Sequence, residues 1–285
     1  MIGVAVDEVP PLTMVAGRLV VAGVMLVAIA VATGSALPHR GVWPWLVAMA
    51  ILNNAMPFTL ITWAEQHIAS NVAATLNATM SLFTFLIATS IGSERATRGR
   101  FLGVVTGFVG AAVVMAPDLG DIRDSDAIGS LAVILAAFGY GSSAVLAREK
   151  LSGSPVVLAG GQMAIGALIM LPFAAVVDGA PDFTISAKAG LSWLGLGVFS
   201  SGLAYIIYFG LLQRSAATSV ALVGYLIPVV ATVLGWLILD EHIGLNLFLG
   251  LALIVVGVMA VNGTLGSFVV RRRPPEVIDV GASGT

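Results

Sequence analysis

The chain has no cysteine, three histidines and few charges: 13 Lys plus Arg and 15 Asp plus Glu make up 10% of 285 residues. Without cysteine there are no disulfides, thiolate metal sites or cysteine nucleophiles. His39, His67 and His242 fall in no HExxH-type arrangement, so neither a metal nor another cofactor is expected. A soluble domain carries roughly 25% charged residues. This chain is instead 58% hydrophobic with a mean hydropathy of +1.02. The net charge of -2 points to no nucleic-acid partner, and the Arg271, Arg272, Arg273 run ends a hydrophobic stretch, where it reads as a membrane stop and orientation signal.

What fills the chain is a series of long apolar runs free of charge, among them residues 41–64, 127–147, 151–177, 189–213, 215–239 and 243–270. Each provides the roughly 20 residues a helix needs to cross about 30 Å of hydrocarbon. Barrel strands would show shorter, alternating segments, and backbone groups in lipid must be bonded internally, so the fold class is all-α integral membrane. Nine spans are predicted: 11–32, 43–64, 69–92, 101–117, 128–147, 155–177, 190–212, 216–238 and 244–264. The expected location is the cytoplasmic (inner) membrane, with the lipid bilayer as partner; oligomeric state is not legible. MIGVAVDEVPP has no basic region before its first apolar run, so insertion is expected to use the spans themselves.

Positive charge alternates between joints. Arg40, Arg95, Arg98, Arg100, Arg148, Lys150, Arg214 and the terminal arginines fall on one side, and only Arg123 and Lys188 on the other. The positive-inside rule then places the C-terminus in the cytoplasm and the N-terminus of this form outside.

Sliding the chain by 147 residues aligns Gln66 with Gln213, Glu94 with Glu241, Phe101-Leu102-Gly103 with Phe248-Leu249-Gly250, and Gly110 with Gly257. Glu94 and Glu241 lie at joints on opposite sides, so the copies have opposite topology, as in many secondary transporters. Pro155 precedes Gln162 by seven residues, as Pro11 precedes Arg18, which pairs the sixth span with the first and leaves the fifth without a mate. The expected organisation is 4+5: a first repeat over 1–117 lacking its opening helix, an external loop at 118–126, a second repeat over 127–264 and a cytoplasmic tail at 265–285. A natural nine-helix protein is the alternative.

The segments NNAMPFTLITWAEQHIASNVAATLNATMSLFTFLIATSIGSE, GLAYIIYFGLLQ, YLIPVVATVLGWLILDE and FLGLALIVVGV together resemble the EamA family of the drug/metabolite transporter superfamily. The proline of the family pattern is Ser81 in the first copy and is kept as Pro228 in the second. The resemblance implies a ten-helix, 5+5 arrangement around a central cavity, alternating access, and movement of a small metabolite. Export of an amino acid or related polar or amphipathic compound is the expected function; a non-transporting scaffold and an intramembrane enzyme are the alternatives, and no enzymatic activity is expected.

Candidate cavity residues follow from polarity at depth. Arg18 lies seven residues, about 10 Å of helical rise, inside the first span. Burying it there costs about 2.5–3.5 kcal/mol, so it needs a wet cavity or a partner; anion binding, snorkelling and a structural hydrogen bond are all open. Asn53 and Asn54 sit mid-span before Pro57, which has no N–H for the Asn53 carbonyl and thus frees an acceptor; substrate contact and hydrogen bonding to neighbouring helices are both open. Asn77 lies on a stripe with Ser70, Ala74, Ser81 and Thr84 that would line a path or a tight helix contact. Ser201 and Tyr205 share a face, with Tyr208 nearer the interface. Tyr140, Gln162 and Tyr225 complete the set, with Pro57 and Pro228 as kinks or hinges. Gly103 and Gly107 read as a packing GxxxG pair. No Asp or Glu lies deep in any span, which favours facilitated diffusion or exchange over proton coupling.

Overall fold

A computed structural model describes residues 9–93, 97–115, 125–179, 185–214 and 244–261, with Leu234 and Leu237. Every regular element among them is helical. In chain order these are α1 (Pro11–Ala32), a 3-10 turn (Arg40–Val42), α2 (Trp43–Met49), π1, a π-helical segment (Ala50–Ala55), and α3 (Met56–Ala64). Next come α4 (Ser70–Asn77), α5 (Met80–Ser90), α6 (Arg98–Met115), α7 (Ser125–Lys150) and α8 (Pro155–Val177). The series ends with α9 (Ala187–Gly195), the π-helical segment π2 (Leu196–Leu203), α10 (Ala204–Arg214) and α11 (Leu245–Val261). The eighth predicted span, with Tyr225 and Pro228, lies outside the described residues except for Leu234 and Leu237, and Glu94 and Glu241 lie outside them too.

Among the described residues, six helical stretches are long and apolar enough to cross a membrane: Pro11–Ala32, Arg40–Ala64, Ser70–Ser90, Asp126–Lys150, Pro155–Val177 and Ala187–Leu211. Large apolar side chains stand exposed along them, including Val31, Leu168, Val176, Leu191 and Phe199. Contiguous apolar surface on this scale suits lipid rather than water. The protein is an all-helical, multi-pass integral membrane protein.

Span boundaries follow local chemistry. Pro11 and Pro155 open α1 and α8, where a missing N–H costs nothing because the first turn has no partner for it. Asp178, just past α8, accepts from both the Thr13 amide (2.7 Å) and the Thr13 hydroxyl (2.8 Å), capping α1 with a carboxylate from another helix. The third span is not one continuous α-helix. At Ala78 and Thr79 the backbone bonds shorten to the i→i+3 pattern, and the Thr79 hydroxyl donates to the Leu76 carbonyl at 2.7 Å. This turn separates α4 from α5 and rotates the predicted polar stripe between Asn77 and Ser81.

Two large sets of buried apolar residues build most of the core, beside a small third one of Val9, Met14 and Leu196. One joins α1, α2, α3, α8 and α10 through Leu19, Leu26, Leu46, Phe58, Met163 and Phe209. The other joins α4, α5, α6, α7 and α11 through residues such as Leu76, Leu82, Val133 and Ile254. Glycine allows the closest approach. A Cβ on Gly103 would stand 2.6 Å from the Gly257 carbonyl oxygen, and one on Gly110 would stand 2.7 Å from the Gly250 carbonyl oxygen. Contacts of 103 with 257 and 110 with 250 run in opposite senses, so α6 and α11 cross antiparallel, backbone against backbone. The 147-residue slide carries Gly103 to Gly250 and Gly110 to Gly257, and so exchanges the two contacts.

Candidate functional site

Among the described residues two π-helical segments interrupt the spans, and each presents a polar pair at mid-span: Asn53 and Asn54 on π1, Ser200 and Ser201 on π2. The 147-residue slide superimposes Asn53 on Ser200 and Asn54 on Ser201. In π1 the cause is visible. Pro57 stands at the start of α3, where its ring would collide with the Asn53 carbonyl in a regular helix. Widening the preceding turn, with the Met56 N–H reaching back to the Ile51 carbonyl, removes that collision. π2 has no proline, and its widened turn instead contains Gly202.

Arg18 on α1 extends to π2. Its Nε donates to the Ser201 hydroxyl at 2.9 Å and its Nη2 to the Ser200 hydroxyl at 3.2 Å. The guanidinium lies over the Phe58 ring at 3.9 Å, a cation–π contact. The residue is only 4% exposed, so its charge is withdrawn from solvent rather than snorkelling to an interface. Glu65, at the end of α3, accepts from the Ser70 hydroxyl at 3.3 Å.

Phe58 also meets Tyr205 edge-on, with ring centroids 6.4 Å apart. The Tyr205 hydroxyl donates to the Asn53 carbonyl at 2.9 Å. That is the carbonyl Pro57 cannot serve. Around it, the Ser143 hydroxyl of α7 stands 3.0 Å from the Asn53 amide oxygen and 2.8 Å from the Tyr140 carbonyl. The Asn54 amide reaches α8, donating to the Gln162 carbonyl over a long 3.4 Å and approaching Met163 Sδ at 3.6 Å.

Arg18, Asn53, Asn54, Tyr140, Gln162, Ser201 and Tyr205 therefore converge on one buried region between α1, π1, α7, α8, π2 and α10. Its polar groups are underused. Among the described residues Asn53 Nδ2, Asn54 Oδ1 and both side-chain polar atoms of Gln162 are buried without a hydrogen-bond partner. A buried polar group without a partner costs about 1–3 kcal/mol, so several in one place mark a site that needs water or a ligand. Asn77 stands apart, beside Leu76 and Ala78 of the second core cluster, with its own amide oxygen buried and without a partner among the described residues. Thr84 packs by its backbone against α7, where a Cβ on Gly141 would stand 2.8 Å from the Thr84 nitrogen, so this part of the stripe is a tight helix contact. Tyr208 packs on Tyr205 (6.0 Å) and against the first core cluster rather than standing clear at an interface.

Phe58, Ser143 and Trp193 were not singled out from the sequence. Trp193 donates from its indole nitrogen to the Met14 carbonyl at 2.8 Å, binding α9 to α1 one turn before Arg18. Phe58 had one available signal, its place opposite Tyr205 under the 147-residue slide.

The model of the EamA-like transporter family matches residues 1–116 and 127–263. The chain belongs to that family. It is accordingly a multi-pass membrane transporter of the drug/metabolite transporter superfamily. Among similar proteins, the uncharacterized inner membrane transporter YedA of Escherichia coli (strain K12) is 27% identical over 282 residues, covering 96% of this chain and 88% of its own. The uncharacterized transporter YoaV of Bacillus subtilis (strain 168) is 25% identical over 74% of this chain and 73% of its own. Protein PecM of Dickeya dadantii (strain 3937) is 26% identical over 79% and 73%. A solved crystal structure superimposes with a TM-score of 0.69 over 90% of each chain at 19% identity, a likeness of fold.

Proposed function

We propose that the protein is a permease that moves a small polar or amphipathic metabolite, an amino acid or related compound, across the cytoplasmic membrane by alternating access, with export as its direction. The observation that carries this reading is the buried Arg18 guanidinium, held between α1 and π2 by neutral hydroxyls in a region with several unused polar groups. A purely structural core would satisfy those groups or replace them with apolar ones.

Inversion of the two repeats fits the same reading. The π segments 147 residues apart and the exchanged glycine contacts of α6 and α11 support two copies related by an axis in the membrane plane, a geometry in which one half rocks against the other. In that arrangement the N-terminus of this form is external and the C-terminus cytoplasmic, the repeats occupy 1–117 and 127–264, and the substrate contacts Arg18, Asn53, Asn54, Tyr140, Gln162, Ser201 and Tyr205. Tyr225 belongs to the same proposal from sequence alone, and Asn77 to a second polar position on α4.

Metabolite profiling of cells with and without the gene, followed by transport of the accumulating compound in proteoliposomes, tests the function. Accumulation in the cells lacking the gene, with saturable flux in vesicles, is expected. Normal metabolite levels together with no flux would leave the scaffold reading in its place.

A further inference from the structure

Resting on the permease reading, we infer that the substrate is a small organic anion whose negatively charged group seats on Arg18. The guanidinium has five N–H donors and no acceptor. One edge, Nε with Nη2, is filled by the Ser201 and Ser200 oxygens at 2.9 and 3.2 Å, the edge on which a carboxylate forms a two-pronged hydrogen bond. Two neutral hydroxyls thus occupy the positions of two carboxylate oxygens. The flat face is taken by Phe58, so Nη1, which has no hydrogen-bond partner among the described residues, and the second Nη2 hydrogen form the edge left for an anion. Among the described residues no carboxylate makes an ion-pair contact with Arg18, and the flanking runs 189–213 and 215–239 contain no Asp or Glu to provide one.

A charge removed from water is normally paired or neutralised. Arg stays protonated at any physiological pH, so it does not resolve the conflict by losing its proton. Glu65, at the end of α3, accepts from Ser70 and makes no ion-pair contact with Arg18, so the contacting negative charge is expected to arrive with the ligand. Asn53 Nδ2 and Gln162 Nε2, both on nine-tenths-buried side chains without partners among the described residues, add donors suited to an anion, while Phe58 and Tyr205 provide apolar surface for its body.

Matched probes separate charge from shape. Thermal unfolding of the purified full chain in detergent would be followed with acetate or benzoate and with their neutral counterparts acetamide and benzamide. The wild-type protein should be stabilised by at least one carboxylate and by neither amide. Arg18→Gln should weaken that carboxylate's apparent affinity by roughly 10–100-fold, the loss of a hydrogen bond to a charged group, and Arg18→Lys should recover part of it. Equal stabilisation by acid and amide, no stabilisation by either carboxylate, or an Arg18→Gln protein that binds the carboxylate as the wild type does would overturn the inference. The wild-type comparison stands even where Arg18→Gln fails to fold. Counterflow in proteoliposomes reads the permease separately: carboxylate binding without flux removes the transport reading and spares the anion site, whereas flux that favours the amide removes the anion site and spares transport.

Discussion

The Tyr205 hydroxyl donates to the Asn53 carbonyl at 2.9 Å, joining α10 to the π turn of the second span at the one carbonyl that the Pro57 nitrogen cannot reach. A helix defect in one half of the chain is thereby completed by a side chain from the other. In the proposed alternating-access cycle, such a bond would hold the two halves in one state and break in the other. Tyr205→Phe removes the donor and keeps the ring against Phe58. It should cost about 1 kcal/mol of stability and change flux several-fold at near-normal membrane abundance. Unchanged flux would mean that the bond plays no part in the cycle.

Pro57→Ala restores an N–H where the π turn now accommodates the ring. The Asn53 carbonyl then has a helical donor that competes with Tyr205. Because proline is about 3 kcal/mol less favourable than alanine in a helix interior, the variant should melt at a higher temperature and transport more slowly. A lower melting temperature would show that the π turn is a stable feature independent of Pro57.

The glycine crossing of α6 and α11 has no room for a side chain. Gly103→Val and Gly257→Val should each lower membrane abundance sharply, with an overpacking cost of about 1–3 kcal/mol. Gly99, with nothing within 4 Å of a Cβ, should accept alanine without loss. Quantitative blotting of membranes reads all three. Normal abundance of both valine variants would contradict the close crossing.

The span limits were largely legible because they depend on local composition: Pro11–Ala32 and Pro155–Val177 coincide with the prediction, and the other described spans differ at their ends by a few residues. Much of the buried polar region was legible as well. Arg18 is conspicuous as a charge at depth, and Pro57 announces an unserved carbonyl two turns before the joint. Their partners were not legible. That Ser143, Phe58 and Trp193 meet Asn53, Arg18 and Met14 depends on how helices distant in sequence are rotated against one another, and apolar spans carry little periodic signal of that rotation. The break after Asn77 was missed for a different reason: threonine is ordinary within a span, and only the i→i+3 bonds around Ala78 and Thr79 disclose the turn.

Asp178 illustrates a contact of this second kind. It lies just past a span end in sequence, and in the fold it caps α1 through Thr13. Asp178→Ala should destabilise the protein by about 1.5–3 kcal/mol, as expected for hydrogen bonds to a charged acceptor, and Thr13→Ala by less because the amide bond survives. Thermal unfolding of the two purified variants checks the order. Equal and negligible effects would show the cap to be energetically idle.

The central claim is that the region around Arg18 opens to each side of the membrane in turn. Since the chain contains no cysteine, Ser201→Cys introduces a single thiol there with little change in size. In vesicles of known orientation, a membrane-impermeant thiol reagent applied from either side should modify it, and a transported substrate should slow both reactions. Modification from one side only, with and without substrate, would contradict the account.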